Sequence, residues 1–254
     1  MAGGKKDTVN ETRLIVQGDS PQFTELIRHS IEFELPTGQT QTKGEISACI
    51  QDTGVIPFVS EASPEDALFV AEALAAAGIP IIEISMNGPG AMDVISHLVK
   101  HVPTMIVGAG SIRNVNTARN CVDAGAKFLA TDGAIPGIVD YAAKENLVAI
   151  SGALTLTEVI SQWDAGADFV KVVPCNAVGG SKYIQTLKAA VPQARLIAAG
   201  GVNQLTALNY VTAGAVGLSV GEELIPKEAV VLRQARRIQE LARRFLNAVD
   251  NGRD

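Results

Sequence analysis

Lys171 lies in the middle of Asp168-Phe169-Val170-Lys171-Val172-Val173-Pro174-Cys175, a run that otherwise has the composition of a strand covered on both faces. Lysine is almost never buried without a purpose. Desolvation is expected to lower its pKa, which frees the amine to attack a carbonyl carbon and form a Schiff base. A second run, Ile79-Pro80-Ile81-Ile82-Glu83-Ile84-Ser85-Met86, hides a carboxylate in the same way. Because side chains alternate along a strand, Glu83 shares a face with Ile81 and Ser85, and Lys171 shares one with Phe169 and Val173. If both faces point into one barrel, amine and acid meet and can share proton-transfer work. The structural alternatives are a snorkelling lysine or a buried ion pair, and such pairs often add little net stability.

These two strands need a frame that brings their inner faces together. Ala-Gly pairs recur at Gly78, Gly125, Gly166 and Gly214, at intervals of 47, 41 and 48 residues. Each interval holds about two strand–helix units. Filling in the intermediate units places eight strands near Val55–Ser60, Ile79–Met86, Thr104–Gly110, Phe128–Thr131, Val148–Gly152, Phe169–Pro174, Arg195–Gly200 and Val216–Val220. Ser63-Pro64-Glu65-Asp66 caps the helix after the first strand, and Thr155-Leu156-Thr157-Glu158 is a capping box after the fifth. The reading is a single α/β domain, a (β/α)8 TIM barrel over residues 43–254, with its site at the C-terminal ends of the strands. An open doubly wound sheet is the alternative, but no GxGxxG follows the first strand and no P-loop occurs.

Residues 1–42 form an N-terminal extension. Ser20-Pro21 starts an amphipathic helix with Phe23, Leu26, Ile27 and Ile31 on one face, predicted to dock on the barrel or a neighbouring subunit, and Gln39-Thr40-Gln41-Thr42 reads as a linker. At the other end, one helix is expected over Lys227 to Val249, with Leu232, Ala235, Ile238, Leu241 and Phe245 on its apolar face and arginines facing water.

Composition narrows the function. A chain of 254 residues with 47% hydrophobic but only 4% aromatic residues builds its core from Ala, Val, Ile and Leu, as parallel α/β layers do. A net charge of −6 excludes a general nucleic-acid binder, which needs a basic face. Cys49, Cys121 and Cys175 are odd in number and lack CxxC spacing, so they indicate neither a metal site nor a disulfide framework and suit a reducing cytoplasm. No apolar segment approaches the ~18 residues of a membrane span.

Four motifs in chain order carry a resemblance: Ile82-Glu83-Ile84, Gly108-Ala109-Gly110-Ser111, Val170-Lys171-Val172-Val173-Pro174 and Gly200-Gly201-Val202. Together they resemble the 2-keto-3-deoxy-6-phosphogluconate (KDPG) and 4-hydroxy-2-oxoglutarate (KHG) aldolases, from about Lys43 to Leu224. Asn87-Gly88-Pro89 and the tract from Pro174 to Pro192 look closer to the 2-keto-3-deoxy-6-phosphogalactonate branch.

The resemblance implies a class I aldolase, with Lys171 as Schiff-base residue, Glu83 as proton shuttle, a 2-keto acid substrate, pyruvate as product, no metal and no cofactor. It assigns Ser111, Asn87, Pro174, Gly200, Gly201 and Glu222 to the substrate. A soluble homotrimer that binds no nucleic acid or membrane is likewise implied. For Ser111 a plain helix cap is the alternative. Two of the family's arginines are missing, at Ser60 and Asn87, and Thr131-Asp132 replaces a usual Ser-Pro. Glu222 stands where a serine is expected to bind phosphate, and like charges there would repel a dianion. Phosphate dependence is therefore open. An ordinary phosphorylated-sugar aldolase and a non-catalytic binding or assembly module are the alternatives, and Lys182 could supply the missing positive charge.

Overall fold

The computed structural model describes residues 41–60 and 62–254. The expected N-terminal helix lies outside the described residues. Thr42 opens the first described helix, α1 (Lys43–Thr53), by accepting from the Glu45 N–H at 3.3 Å while Glu45 Oε2 accepts from the Thr42 N–H at 2.7 Å. This capping box satisfies donors that the first turn leaves unpaired. The sequence reading had no helix here. Its apolar face is only Ile46, Cys49 and Ile50, too short a stripe for periodicity to register, yet all three are buried.

Eight parallel strands follow: β1 (Val55–Val59), β2 (Ile81–Ser85), β3 (Ile106–Gly110), β4 (Phe128–Ala130), β5 (Val148–Ala153), β6 (Phe169–Val172), β7 (Leu196–Ala199) and β8 (Gly217–Val220). They close into a barrel in sequence order, β8 pairing with β1. Each predicted strand is present; seven are shorter than expected, and β5 runs one residue further, to Ala153. The outer layer is α2 (Pro64–Ala75), α3 (Ala91–His101), α4 (Val115–Asp123), α5 (Ile138–Lys144), α6 (Leu156–Asp164), a 3-10 turn at Cys175–Val178, α7 (Ser181–Ala190), α8 (Ala207–Thr212), α9 (Lys227–Val231) and α10 (Ala235–Arg253). Ser63 caps α2 and Thr155 with Glu158 caps α6, as the sequence predicts.

The expected single C-terminal helix is broken. Arg233 takes a left-handed φ of 52°, so the chain turns between α9 and α10. There its guanidinium meets Asp66 at 2.8 Å and lies over the Phe69 ring at 5.0 Å. Leu232, placed on the apolar face by periodicity, is exposed in the break, whereas Ile238, Ala242, Phe245 and Val249 of α10 are buried.

Register decides which side chains share the barrel interior. Glu83 is paired with Phe58 and Gly108, Gly108 with Phe128, Gly152 with Lys171, and Lys171 with Ile197. Several interior positions are glycine because a larger neighbour fills the space: a Cβ at Gly108 would overlap the Phe128 ring, and one at Gly110 would overlap the Glu83 carboxylate. At the opposite end, Arg195 lies over the Phe169 ring at 4.7 Å and donates to Ser47 of α1 at 3.2 Å, while Lys43 pairs with Asp168 at 2.8 Å. Helix α1 thus packs at the N-terminal ends of the strands and leaves their C-terminal ends for chemistry. Among the described residues no helix is long and apolar enough to cross a membrane.

Candidate active site

Lys171 is 2% exposed and Glu83 is 0% exposed, and their side chains meet inside the barrel, Lys171 Nζ donating to Glu83 Oε1 at 3.0 Å. The Phe58 ring lies on the same ammonium, with its centroid at 5.9 Å. Glu83 Oε2 is buried and has no hydrogen-bond partner among the described residues. A buried carboxylate oxygen left unpaired is costly.

A third charged group joins this pair. Asp132, in the turn directly after β4, places Oδ1 2.9 Å from Lys171 Nζ while its side chain stays 47% exposed. Thr131 fixes that turn, its hydroxyl donating to the Gly133 carbonyl at 2.7 Å and accepting from the Gly152 N–H at 2.9 Å. Gly152 on β5 has no side chain because the Asp132–Gly133 backbone passes through the space a Cβ would need. The sequence marked Thr131-Asp132 as a departure but assigned it no role. The usable signal was position alone, since residues just beyond the C-terminal end of a barrel strand face the mouth.

Asp132 changes the electrostatics expected of the lysine. Burial alone would lower the Lys171 pKa, but the negative charges of Glu83 and Asp132 and their hydrogen bonds outweigh it and hold the ammonium above the ordinary lysine value. The expectation of a depressed pKa is therefore corrected: at neutral pH the resting Lys171 is protonated. Burial likewise pushes Asp132 upward, but the Lys171 charge, the Ser111 hydroxyl, the hydrogen bond from Lys171 and the charge of Arg113 together hold it below the usual carboxylate range.

Ser111 is no helix cap. It follows β3 with a left-handed φ of 55°, and α4 is capped instead by Asn114, which accepts from the Thr117 N–H at 2.8 Å. Its hydroxyl accepts from Ser85 Oγ at 3.3 Å, and its presence near Asp132 helps to lower the pKa of that carboxyl. Asn87, in the turn after β2, donates its N–H to Ser85 Oγ at 3.3 Å, and its side-chain oxygen accepts from Arg113 Nη2 at 3.2 Å. Arg113 was not singled out by the sequence, yet it brings a guanidinium to the position where Asn87 replaces an arginine.

The remaining predicted residues form a separate patch. Gly200 and Gly201, both left-handed, end β7; a Cβ at Gly200 would meet Pro174 Cα at 2.8 Å, and one at Gly201 would overlap the Asn176 side chain. The pairing of Ala199 with Ser219 sets the ends of β7 and β8 side by side, so Glu222 stands beyond this patch, exposed. It makes no hydrogen bond or ion pair with the Lys171 cluster. Among the described residues no group of His, Cys, Asp and Glu is placed to hold a metal ion. The arrangement can hold a protonated amine between two carboxylates of different exposure, which suits reversible attachment of a carbonyl compound.

A family model for the KDPG and KHG aldolases matches residues 46–241, well over half the chain. The chain belongs to this family. The KHG/KDPG aldolase of Escherichia coli is 30% identical over 189 residues, covering 74% of this chain and 89% of the relative. The KDPG aldolase of Legionella pneumophila, solved with pyruvate captured as a covalent carbinolamine, superposes with a TM-score of 0.73 at 26% identity over 78% of this chain and 96% of that one. A native KDPGal structure superposes equally well, TM-score 0.73, covering 84% and 98%; at 24% identity that is a likeness of fold. The aldolase therefore has the expected architecture and family, and Asp132 and Arg113 are the parts of its mouth that the sequence motifs left without a role.

Proposed function

We propose that this aldolase is a class I enzyme that cleaves a 2-keto-3-deoxy sugar acid or 4-hydroxy-2-oxo acid to pyruvate and an aldehyde, with Lys171 as Schiff-base residue and Glu83 as general acid/base. The observation that carries this reading is the buried Lys171 Nζ 3.0 Å from Glu83 Oε1 at the C-terminal end of the barrel. Lys171 gives a proton to a neighbouring carboxylate and its amine adds to C2 of the substrate. The carboxyl group returns that proton to the carbinolamine hydroxyl, which leaves as water, so that a protonated imine and a carboxylate remain. Glu83 takes the C4 hydroxyl proton as the C3–C4 bond breaks; its electron pair moves into the iminium to give an enamine, and the aldehyde departs. Protonation of the enamine at C3 by Glu83, then addition of water at C2, releases pyruvate and restores the amine.

Borohydride added with pyruvate tests the first step. The peptide containing Lys171 is expected to gain the mass of a reduced pyruvoyl group, and labelling at another lysine, or at none, rejects the assignment.

At the distal end, Gly200 and Gly201 offer main-chain donors of the kind that receive phosphate in barrels, but Glu222 places an acceptor where a donor is expected. The reading favoured is a substrate whose far end is a hydroxyl or other uncharged group. Phosphorylated and unphosphorylated forms of one 2-keto-3-deoxy acid, compared by kcat/KM in wild type and Glu222→Ser, test it. A wild type that already prefers the phosphorylated acid, with nothing gained by the serine, would restore the ordinary phosphorylated-sugar aldolase. Trimeric assembly rests on family resemblance, and the mass in solution checks it. A reducing compartment is the reading that suits Cys49, Cys121 and Cys175 as free thiols.

A further inference from the structure

Glu83 accounts for the proton transfers, which leaves the second carboxylate on Lys171 without a task. Asp132 has a particular set of partners: Lys171 Nζ at 2.9 Å, the Ser111 hydroxyl, and the charge of Arg113, whose guanidinium is held by Asn87 at 3.2 Å. These are the partners a 2-keto acid's own carboxylate would require. Its C1 is bonded to C2, the atom that Lys171 attacks, so a carboxylate oxygen must lie roughly 3 Å from Nζ when the bond forms. An ammonium, a hydroxyl donor and a guanidinium around that spot make a carboxylate seat, and Asp132 is sitting in it.

We propose that the Asp132 side chain is a built-in stand-in for the substrate carboxylate, occupying its seat in the ligand-free enzyme and giving way when a 2-keto acid binds. The inference rests on the reading of Lys171 as the Schiff-base residue.

The unequal burial of the two carboxylates supports a movable Asp132. Glu83 is 0% exposed and would have to carry its charge through the barrel core to leave. Asp132 is 47% exposed at the rim, and rotation about its side-chain bonds returns the charge to water. Its backbone need not follow, because Thr131 and the close passage over Gly152 anchor it. The seat itself is firm: Ser85 donates to Ser111, and the Asn87 N–H donates to Ser85. The charged groups facing Lys171 and Asp132 are Glu83 from β2, Arg113 from the loop after β3, and one another. The incoming carboxylate takes the place that Asp132 leaves, so Lys171 exchanges one anion for another as the substrate enters and is never left beside Glu83 alone.

The test is borohydride trapping of pyruvate on wild type, Asp132→Asn and Asp132→Ala, followed as mass on the Lys171 peptide across pyruvate concentration and pH, with acetate as competitor. Acetate carries a carboxylate and cannot form an imine. Without the resident anion, half-saturation by pyruvate is expected to fall about tenfold, the effect of one like charge removed. The pH midpoint of trapping should also move down, and acetate should protect Lys171 at lower concentration than in wild type. Circular dichroism and a thermal melt establish that each variant is folded, and agreement between the asparagine and alanine variants separates charge from shape. Unchanged or weaker half-saturation in both variants overturns the proposal. A shifted pH midpoint with no gain in acetate protection overturns it too, since Asp132 would then tune the lysine from outside the seat. Absence of label on wild-type Lys171 is a different failure, that of the Schiff-base reading, and it takes this inference with it.

Discussion

Replacing Glu83 by glutamine removes one negative charge from the barrel interior and almost nothing of its shape. The glutamine oxygen can still accept from Lys171 Nζ where Glu83 Oε1 does at 3.0 Å, and its amide group falls where Oε2 already lacks a protein partner. Asp132 remains 2.9 Å from Lys171, so the ammonium keeps one counter-charge. The stability loss should therefore be well below the ~3–5 kcal/mol of a buried pair stripped of one partner. The kinetic effect is of another size. General acid–base groups contribute ~10²–10⁴-fold, or about 2.7–5.4 kcal/mol of barrier, and the lone pair that would accept the C4 hydroxyl proton is gone. Imine formation should survive and even start at lower pH, because burial opposes the Lys171 charge and Glu83 is the strongest influence raising its pKa. The assay measures pyruvate release on a cleavable substrate beside borohydride trapping of pyruvate by the same preparation. Glu83→Gln is expected to trap pyruvate at Lys171 but to lose most of kcat. A kcat within a few-fold of wild type would make Glu83 a structural counter-ion only. Trapping and turnover lost in the same proportion would make it an orienting group for Lys171.

Lys171→Met should abolish labelling and leave Glu83 buried with an unpaired charge, destabilising the fold by about 3–5 kcal/mol; adding Glu83→Gln should recover most of that loss, and equal melting of the single and double variants would contradict the pairing. The pH dependence of wild-type stability has two limbs. The Lys171 pKa is raised in the folded state, so its contribution is complete below the unfolded value of ~10.4 and fades as pH rises through the folded value. The Asp132 pKa is lowered, so its contribution is complete above ~3.9 and fades as pH falls through the folded value. Denaturant unfolding across pH should show Asp132→Asn flattening the acid limb and Lys171→Met the alkaline one; an acid limb unchanged by Asp132→Asn would mean that its ion pair adds nothing to the fold.

The barrel was legible because its strands are buried on both sides and its helices announce their starts. Val55, Ile81, Ile106 and Phe169 each open an apolar run beyond a glycine or proline, and Ser63 and Thr155 have the residues of a cap in the right order. The two helical misreadings have local causes. Helix α1 buries too few residues to show a period, and the break at Arg233 depends on tertiary partners, Asp66 and Phe69, that lie far off in sequence. At the site, Lys171 and Glu83 stood out as charges inside apolar strands. Asp132 did not, because an acid in a loop after a strand is ordinary, and what aims it at Lys171 is a missing side chain at Gly152 and a hydroxyl at Thr131. The direction of the Lys171 pKa was missed for the same reason: desolvation can be read from one strand, whereas two opposing carboxylates can be counted only once β2, β4 and β6 stand around one axis.

Depth divides the charges of this barrel into two kinds. Lys171 and Glu83 are closed off from water, so losing the lysine strands the carboxylate, whereas losing the carboxylate leaves the lysine with Asp132 alone. Asp132, Arg113 and Glu222 stand at the rim, where a charge can be gained, lost or turned toward solvent at little expense to the fold. Those rim charges still act on a ligand. Two carboxylates held 4 Å apart repel by about 4 kcal/mol at the effective dielectric of a protein surface, close to a thousandfold in binding. A substrate carboxylate entering beside a fixed Asp132 would meet that repulsion with only Arg113 to offset it, whereas an Asp132 that swings into water avoids it. The same reasoning holds at Glu222 for a distal phosphate, with one difference: Glu222 is already in solvent and makes no ion pair with Lys171 that would hold it in place. The deep pair thus suits one carbonyl chemistry, while the rim decides which acids reach it, and a change of substrate should appear first at positions 113, 132 and 222.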